Sequence, residues 1–186
     1  MRKPLTFFEL QSTQKEHDHN NHSDISTLPL FDRINHYVLH YAKYTARLTH
    51  QKGDVETERE LKRTYTDAFL ISLSASNALN MDLDVEMRKR FTKVARDIAD
   101  YALVDRKMNV QELRVYSRDS LAISNGAMAN TLEKRDHMDD LDSRSILIEN
   151  LSEIAGMIIS GSGHLDFDIV EASLERRRKI ADLRIT

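Results

Sequence analysis

The chain has 186 residues, of which 40% are apolar, 31% charged and 6% aromatic. Five glycines and two prolines are too few for the closely spaced turns of a β-sandwich or barrel, so the composition predicts an all-α fold. The absence of cysteine excludes a disulfide framework, a thiolate nucleophile and a Cys-ligated zinc site. The net charge of −3, with acids and bases mixed along the chain, provides no general attraction to nucleic acid.

The beginning of the chain differs from the rest. Residues 1–29 are mostly polar and show no helical periodicity, so we expect a flexible N-terminal arm. Its histidines, His17, His19 and His22, are an alternative, weak site for a transition metal. No apolar stretch approaches the roughly 18 residues of a membrane-spanning helix, and the apolar start is short for a signal peptide, so we expect a cytoplasmic protein with no membrane partner.

From residue 30 onward, apolar residues recur every three or four positions, which predicts one helix after another. In the first half, residues 30–107, the pattern predicts helices over 30–50, 55–80 and 85–107, the last with Asp84 as its N-cap. In the second half, residues 108–186, it predicts helices over 109–134, 143–162 and 169–184. Asp142 and Asp168 are the expected N-caps of the last two, and Asp168 has the capping-box spacing to Glu171.

Two turns have the same pattern. Residues 80–85 (NMDLDV) and 164–169 (HLDFDI), 84 positions apart, both read x-apolar-Asp-apolar-Asp-apolar and separate a helix rich in small residues from a charged one. A common helix-turn-helix connector is one explanation, but the recurrence of the three-helix order favours duplication. We therefore predict an all-α bundle of two fused three-helix halves, related by a pseudo-two-fold axis and sharing one core. The two helices rich in small residues are expected at its centre.

Residues 148–159 (IENLSEIAGMII) and 165–172 (LDFDIVEA) resemble the second half of the MazG-like all-α nucleotide pyrophosphohydrolases, and residues 66–73 (TDAFLISL) and 79–83 (LNMDL) resemble the same region. The resemblance implies Mg²⁺ held by an E-E-x-x-E helix and a following E-x-x-D helix, with hydrolysis of nucleoside triphosphates. It also implies that bundles pair, so a tandem copy would reproduce such a dimer within one chain. Homodimerisation of the whole chain is a further alternative.

This chain departs from that pattern at the metal-binding positions. The E-E-x-x-E positions fall near Leu39, His40 and Lys43 in the first copy and near Ser124, Asn125 and Met128 in the second. The acids that remain at or beside the E-x-x-D positions are Asp67, Glu149 and Glu153, which are our candidate Mg²⁺ ligands. The alternatives are that they are surface acids or part of a buried polar network between the halves. Matching Asp67 to Glu153 requires a shift of 86 positions, two more than the shift between the turn patterns.

Other clusters have simpler explanations. His36 and His40 are spaced to share a metal, but no Glu completes a protease motif, so a partly exposed pair is the simpler account. The basic run over residues 176–179 complements the C-terminal dipole of the last helix, and no interleaved aromatics support nucleic-acid binding.

The leading functional hypothesis is therefore a MazG-like homologue with a degraded metal motif, which binds a nucleoside phosphate and hydrolyses it weakly or not at all. Any activity would be Mg²⁺-dependent pyrophosphohydrolysis. The alternative is a non-enzymatic helical module that binds another protein.

Overall fold

The computed structural model describes residues 5–91, 98, 108–137 and 142–183. Over these residues it contains eight helices and no strand: α1 (Phe7–Asn21), α2 (Ser23–Ser26), α3 (Leu30–Arg47), α4 (Asp54–Ala78), α5 (Leu83–Arg90), α6 (Val110–Asp136), α7 (Ser143–His164) and α8 (Ile169–Asp182). The prediction of an all-α bundle is confirmed. None of the helices in this part of the chain combines the length and the apolarity needed to cross a membrane.

Five of the six predicted helices appear within three residues of their expected bounds, as α3, α4, α6, α7 and α8. The sixth begins as α5, and most of its remaining predicted length, to residue 107, lies outside the described residues. Its N-cap is Asp82, two residues before the predicted Asp84, and one oxygen of Asp82 accepts from the backbone N–H groups of Asp84 and Val85 at 3.0 and 3.2 Å. Asp82 takes this role because it has the extended backbone that an N-cap needs (φ −82°, ψ 106°).

The segment for which the sequence predicts a flexible arm forms α1 and α2 in the structure. Thr6 and Glu9 make a capping box at the start of α1, and the side chains of Phe7 and Leu10 are buried. Gln11 joins α1 to the turn before α5, since its Nε2 donates to the carbonyl of Met81 at 2.8 Å. The buried face of α1 is partly made of glutamines, which give no hydrophobic periodicity, and this is why the pattern did not reveal the helix.

Helices α4 and α7 pack on each other and have the largest sets of buried residues of all the described helices. Helix α4 also contacts α1, α3, α6 and α8, while α7 also contacts α5 and α6. Small side chains allow this close packing: a Cβ atom on Gly161 of α7 would overlap the ring of Tyr65 on α4.

The turns after α4 and after α7 have the same backbone geometry. Asn80 (φ 49°) and Asp166 (φ 46°) are the non-glycine residues with positive φ in the described part of the chain. In each turn the next N–H bonds back to a serine carbonyl, Met81 to Ser76 at 2.9 Å and Phe167 to Ser162 at 3.0 Å. These pairs lie 86 positions apart, so the register differs by two residues from the 84 predicted from the sequence pattern.

Candidate functional site

The three predicted metal ligands have different surroundings. Asp67 on α4 is buried, and its two oxygens accept from Arg47 Nη1 at 2.7 Å and from Arg176 Nε at 3.0 Å. Glu153 on α7 is exposed and pairs with Arg90 at 2.5 Å, and Glu149 is exposed one turn earlier. Among the residues described, no group of three or more His, Asp or Glu side chains is placed to hold a metal ion.

The environment of Asp67 does not fit a Mg²⁺ ligand, because two guanidinium groups already bind the oxygens that the ion would need. It instead agrees with the alternative of a polar network between helices, since Arg47 comes from α3 and Arg176 from α8. The exposure of Glu149 and Glu153 agrees with the alternative of surface acids. Magnesium binding by the three acids stays a prediction.

Asp67 lies at one end of a cavity of about 340 Å³. The cavity is bounded by α1, α2, α3, α4 and α8 and is partly open to solvent, and its volume lies in the range typical of small-molecule sites. The apolar part of its wall comprises Ile25, Tyr37, Tyr44, Leu70, Ile71 and Ile180, and the polar part includes Gln14, Asp18, His36, His40, Lys43, Arg47, Asp67 and Arg176.

Cations are concentrated at the Asp67 end of this cavity. Lys43, Arg47 and Arg176 all line it beside that single carboxylate. Burial is the main cause of the lowered pKa of Lys43, and the charge of Arg47 lowers it further. Three cations beside one carboxylate leave an excess of positive charge at this end. Because the excess is held in a concave site, this end of the cavity is suited to an anion.

The histidine pair lies in the middle of the cavity wall. His36 Nε2 and His40 Nε2 are 3.1 Å apart. Burial, followed by the charge of Lys43, lowers the pKa of His40 to about 4, so the ring is neutral at pH 7. Lys43 Nζ lies 3.2 Å from His40 Nδ1, and because an ammonium group only donates, Nδ1 is the acceptor and Nε2 carries the proton toward His36.

The opposite end of the cavity is rich in hydrogen-bond acceptors and is formed by α1. Gln14 is 3% exposed, and its Nε2 donates to Asp18 Oδ1 at 2.7 Å and to Ser74 Oγ at 3.3 Å. Its Oε1 is buried without a hydrogen-bond partner among the described residues. Burial raises the pKa of Asp18, because the carboxylate loses solvation there.

Sequence reasoning missed most of this site. It treated α1 as part of a flexible arm, and it considered His36 and His40 only as an isolated pair. A signal was present in α3, since His36, His40, Lys43 and Arg47 follow the three- and four-residue spacing of one helix face. Nothing in the local pattern indicated that residues of α1 and α8 would lie opposite that face.

A second pocket, between α5, α6 and α7, has related residues. Its lining includes Glu153, Gly156, Met157, Ser160 and Arg90, and each lies 86 positions from a residue that lines the first cavity, respectively Asp67, Leu70, Ile71, Ser74 and Arg176. The ion pair between Glu153 and Arg90 therefore corresponds to that between Asp67 and Arg176. The histidines, Lys43 and Arg47 have no basic counterpart at that shift, where Ala122, Gly126, Ala129 and Glu133 stand instead.

Comparisons with known proteins add no relative to this description. No protein-family model, no curated protein and no solved structure matches the chain significantly.

Proposed function

We propose that this protein binds a nucleoside phosphate in the cavity between α1, α3, α4 and α8, and that it hydrolyses the ligand weakly or not at all. The observation that carries the proposal is the group of Lys43, Arg47 and Arg176 at one end of a concave, partly aromatic cavity. Phosphate oxygens are matched by guanidinium and ammonium donors. The ring of Tyr37, at the other end of the cavity, offers a surface for a base or sugar.

The same residues argue for binding rather than for efficient hydrolysis. In this chain, His40 and Lys43 stand near the positions at which the MazG-like pattern has metal-binding glutamates. The carboxylate of Asp67 is already hydrogen-bonded to two arginines. Positive side chains would neutralise phosphate charge directly, in place of the metal ions that activate water in a hydrolase. We therefore propose that the chain is a homologue of the MazG-like proteins that binds a nucleotide.

We also infer that the two halves of the chain, α3–α5 and α6–α8, derive from a duplicated unit with a pseudo-two-fold relation. Three features support this inference at a common shift of 86 residues: the two positive-φ turns, the N-caps Asp82 and Asp168, and the corresponding ion pairs. In each ion pair the acid belongs to one half and the arginine to the other. The first cavity and the second pocket would then be equivalent positions in the two halves, and only the first has acquired the histidines, Lys43 and Arg47.

The proposal is tested by measuring thermal unfolding with a panel of nucleoside mono-, di- and triphosphates. A ligand at about 100 times its Kd should stabilise the protein by about 2.7 kcal/mol and raise the Tm by about 5–10 °C. Arg176→Gln should weaken binding about tenfold or more, since it removes a charged donor from the anionic end. Arg178→Gln is the matched control, because Arg178 is on the same helix but outside the cavity.

If no nucleotide at millimolar concentration changes the Tm, nucleotide binding is wrong and the protein-binding module becomes the better hypothesis. If Arg176→Gln and Arg178→Gln behave alike, the ligand does not use this cavity. Release of pyrophosphate with Mg²⁺ or Mn²⁺, at turnover typical of enzymes, would contradict the second part of the proposal.

A further inference from the structure

The cavity has opposite chemical character at its two ends, and helix α3 connects them. Tyr37 lies near the acceptor end, where its pKa is raised to about 12 by burial and then by the negative charge of Asp18. Lys43 lies near the cationic end, beside Arg47 and Asp67. Six residues of helix separate Tyr37 from Lys43, or about 9 Å along the axis, which is comparable with the length of a nucleoside monophosphate.

The acceptor end contains a buried hydrogen-bond acceptor that has no donor among the described residues. The side-chain amide of Gln14 turns its NH₂ group toward Asp18, because an ionised carboxylate can only accept a hydrogen bond. Gln14 Oε1 therefore remains as a buried acceptor without a partner among the described residues, an arrangement that is unfavourable until a donor reaches it. Asp18 adds a half-buried carboxylate beside it. Gln14 and Asp18 thus line the end of the cavity opposite Lys43, Arg47 and Arg176, and the charge of Arg177 reaches Asp18 from outside the cavity.

We propose that Gln14 and Asp18 select guanine as the base of the bound nucleotide. Guanine presents two adjacent donors, the N1–H and the exocyclic NH₂ group. The pairing edges of adenine and cytosine each combine an amino group with a ring-nitrogen acceptor, and the single N–H of uracil lies between two carbonyl acceptors. Only the guanine edge offers two neighbouring donors to a carboxylate and an amide oxygen. This inference rests on the proposed function, since it assumes that phosphate occupies the cationic end.

The side walls suit a planar base at this position. Tyr37 is 6% exposed and lines the cavity together with Ile25 and Leu70. Aromatic and aliphatic faces of this kind hold a base by stacking without distinguishing its identity. Selectivity would therefore come from Gln14 and Asp18, while affinity for phosphate would come from Lys43, Arg47 and Arg176.

The test uses the full chain with GTP, ITP, XTP and ATP, and measures each Kd by calorimetry. Wild-type protein should bind GTP about tenfold or more tightly than ATP or XTP, with ITP between them because inosine lacks the exocyclic amine. In Asp18→Asn, an amide NH₂ faces the ligand in place of a carboxylate oxygen. This variant should lose about tenfold or more for GTP and gain affinity for XTP, whose 2-carbonyl accepts.

The expected increase in affinity for XTP keeps the test valid even if Asp18→Asn lowers stability, because a misfolded protein would not bind any nucleotide more tightly. Glu16→Gln is the matched control, because Glu16 is an exposed acid on α1 outside this cavity, and it should leave all four affinities unchanged. Equal affinity for the four nucleotides, sensitive to Arg176→Gln but not to Asp18→Asn, would overturn the guanine inference and leave the proposed function intact. Absence of binding by all four would overturn both.

Discussion

At the residue scale, the closest packing between the central helices occurs at Gly161. The ring of the fully buried Tyr65 fills the space where a side chain at position 161 would begin, and the Tyr65 hydroxyl lies 2.5 Å from Ser117 Oγ on α6. Because the hydroxyl also holds the ring in place, the ring cannot move without losing a buried hydrogen bond. Glycine at 161 is therefore required by packing and not by backbone conformation.

We expect Gly161→Ala to destabilise the protein by about 1–3 kcal/mol, the usual cost of inserting a methyl group into a filled core. Gly126→Ala is the control, since a Cβ at Gly126 would meet no described atom within 4 Å. It lies inside α6, so alanine should be neutral or should stabilise by about 0.5–1 kcal/mol. Chemical denaturation of both variants checks the pair, and equal effects would contradict this account of the packing.

At the element scale, α1 forms the acceptor end of the cavity. It provides Gln14 and Asp18 at the acceptor end, and it is attached to the body by contacts of Phe7 and Leu10 with the core. Polar contacts add to this attachment, including Gln11 to Met81 and Arg177 Nη1 to Thr13 Oγ1 at 2.8 Å. Much of the wall opposite α3 thus depends on a helix whose apolar anchor consists of a few residues.

Substitutions of Phe7 and Phe8 test how α1 is attached, because the two are adjacent phenylalanines that differ in burial. Phe7 is 2% exposed and Phe8 is 77% exposed. Phe7→Ala should cost about 3–5 kcal/mol of unfolding free energy and weaken nucleotide binding, whereas Phe8→Ala should change stability by less than about 0.5 kcal/mol. Hydrogen exchange of the α1 amides measures the local effect. Unchanged protection of α1 in Phe7→Ala would show that other contacts hold the helix.

At the scale of the whole molecule, groups buried in the cavity make stability depend on pH. His40 has a folded-state pKa of about 4 against an ordinary value of 6.5, so on acidification the unfolded chain takes up the proton first. His36 is shifted in the same direction by burial. Stability is therefore lost as the pH falls through this window. The raised pKa of Asp18 acts in the opposite sense, because its protonated form is favoured in the folded state.

We expect wild-type protein to lose about 1 kcal/mol between pH 7 and pH 5 through His40, a value reduced for the part of the ring that water reaches. The groups facing this ring are Lys43, His36, the Tyr44 hydroxyl at 3.2 Å from Nδ1 and, more distantly, Asp67 and His22. His40→Asn should flatten the slope by that amount, while His50→Asn, at an exposed position, should leave it unchanged. Identical slopes for the three proteins would contradict the assignment of the pH dependence to His40.

The helices from α3 onward can be predicted without a structure, because their periodicity, caps and turn residues act over a few positions. Leu30–Arg47, for example, begins and ends within three residues of its predicted bounds. Asp142 and Asp168 are also N-caps as predicted. These signals are local, so no partner element was needed to read them.

Which side chains meet depends on the packing of helices that are distant in the chain. Asp67 receives Arg176 from 109 positions away, and Gln14 lies against Ser74 from 60 positions away. Contacts between residues so far apart in the sequence produce no periodic pattern in it. The buried residues of α1 include polar ones, so hydrophobic periodicity did not indicate that this helix is buried. Backbone geometry likewise puts the positive-φ residues Asn80 and Asp166 86 positions apart, which favours a shift of 86 over one of 84 between the two turns.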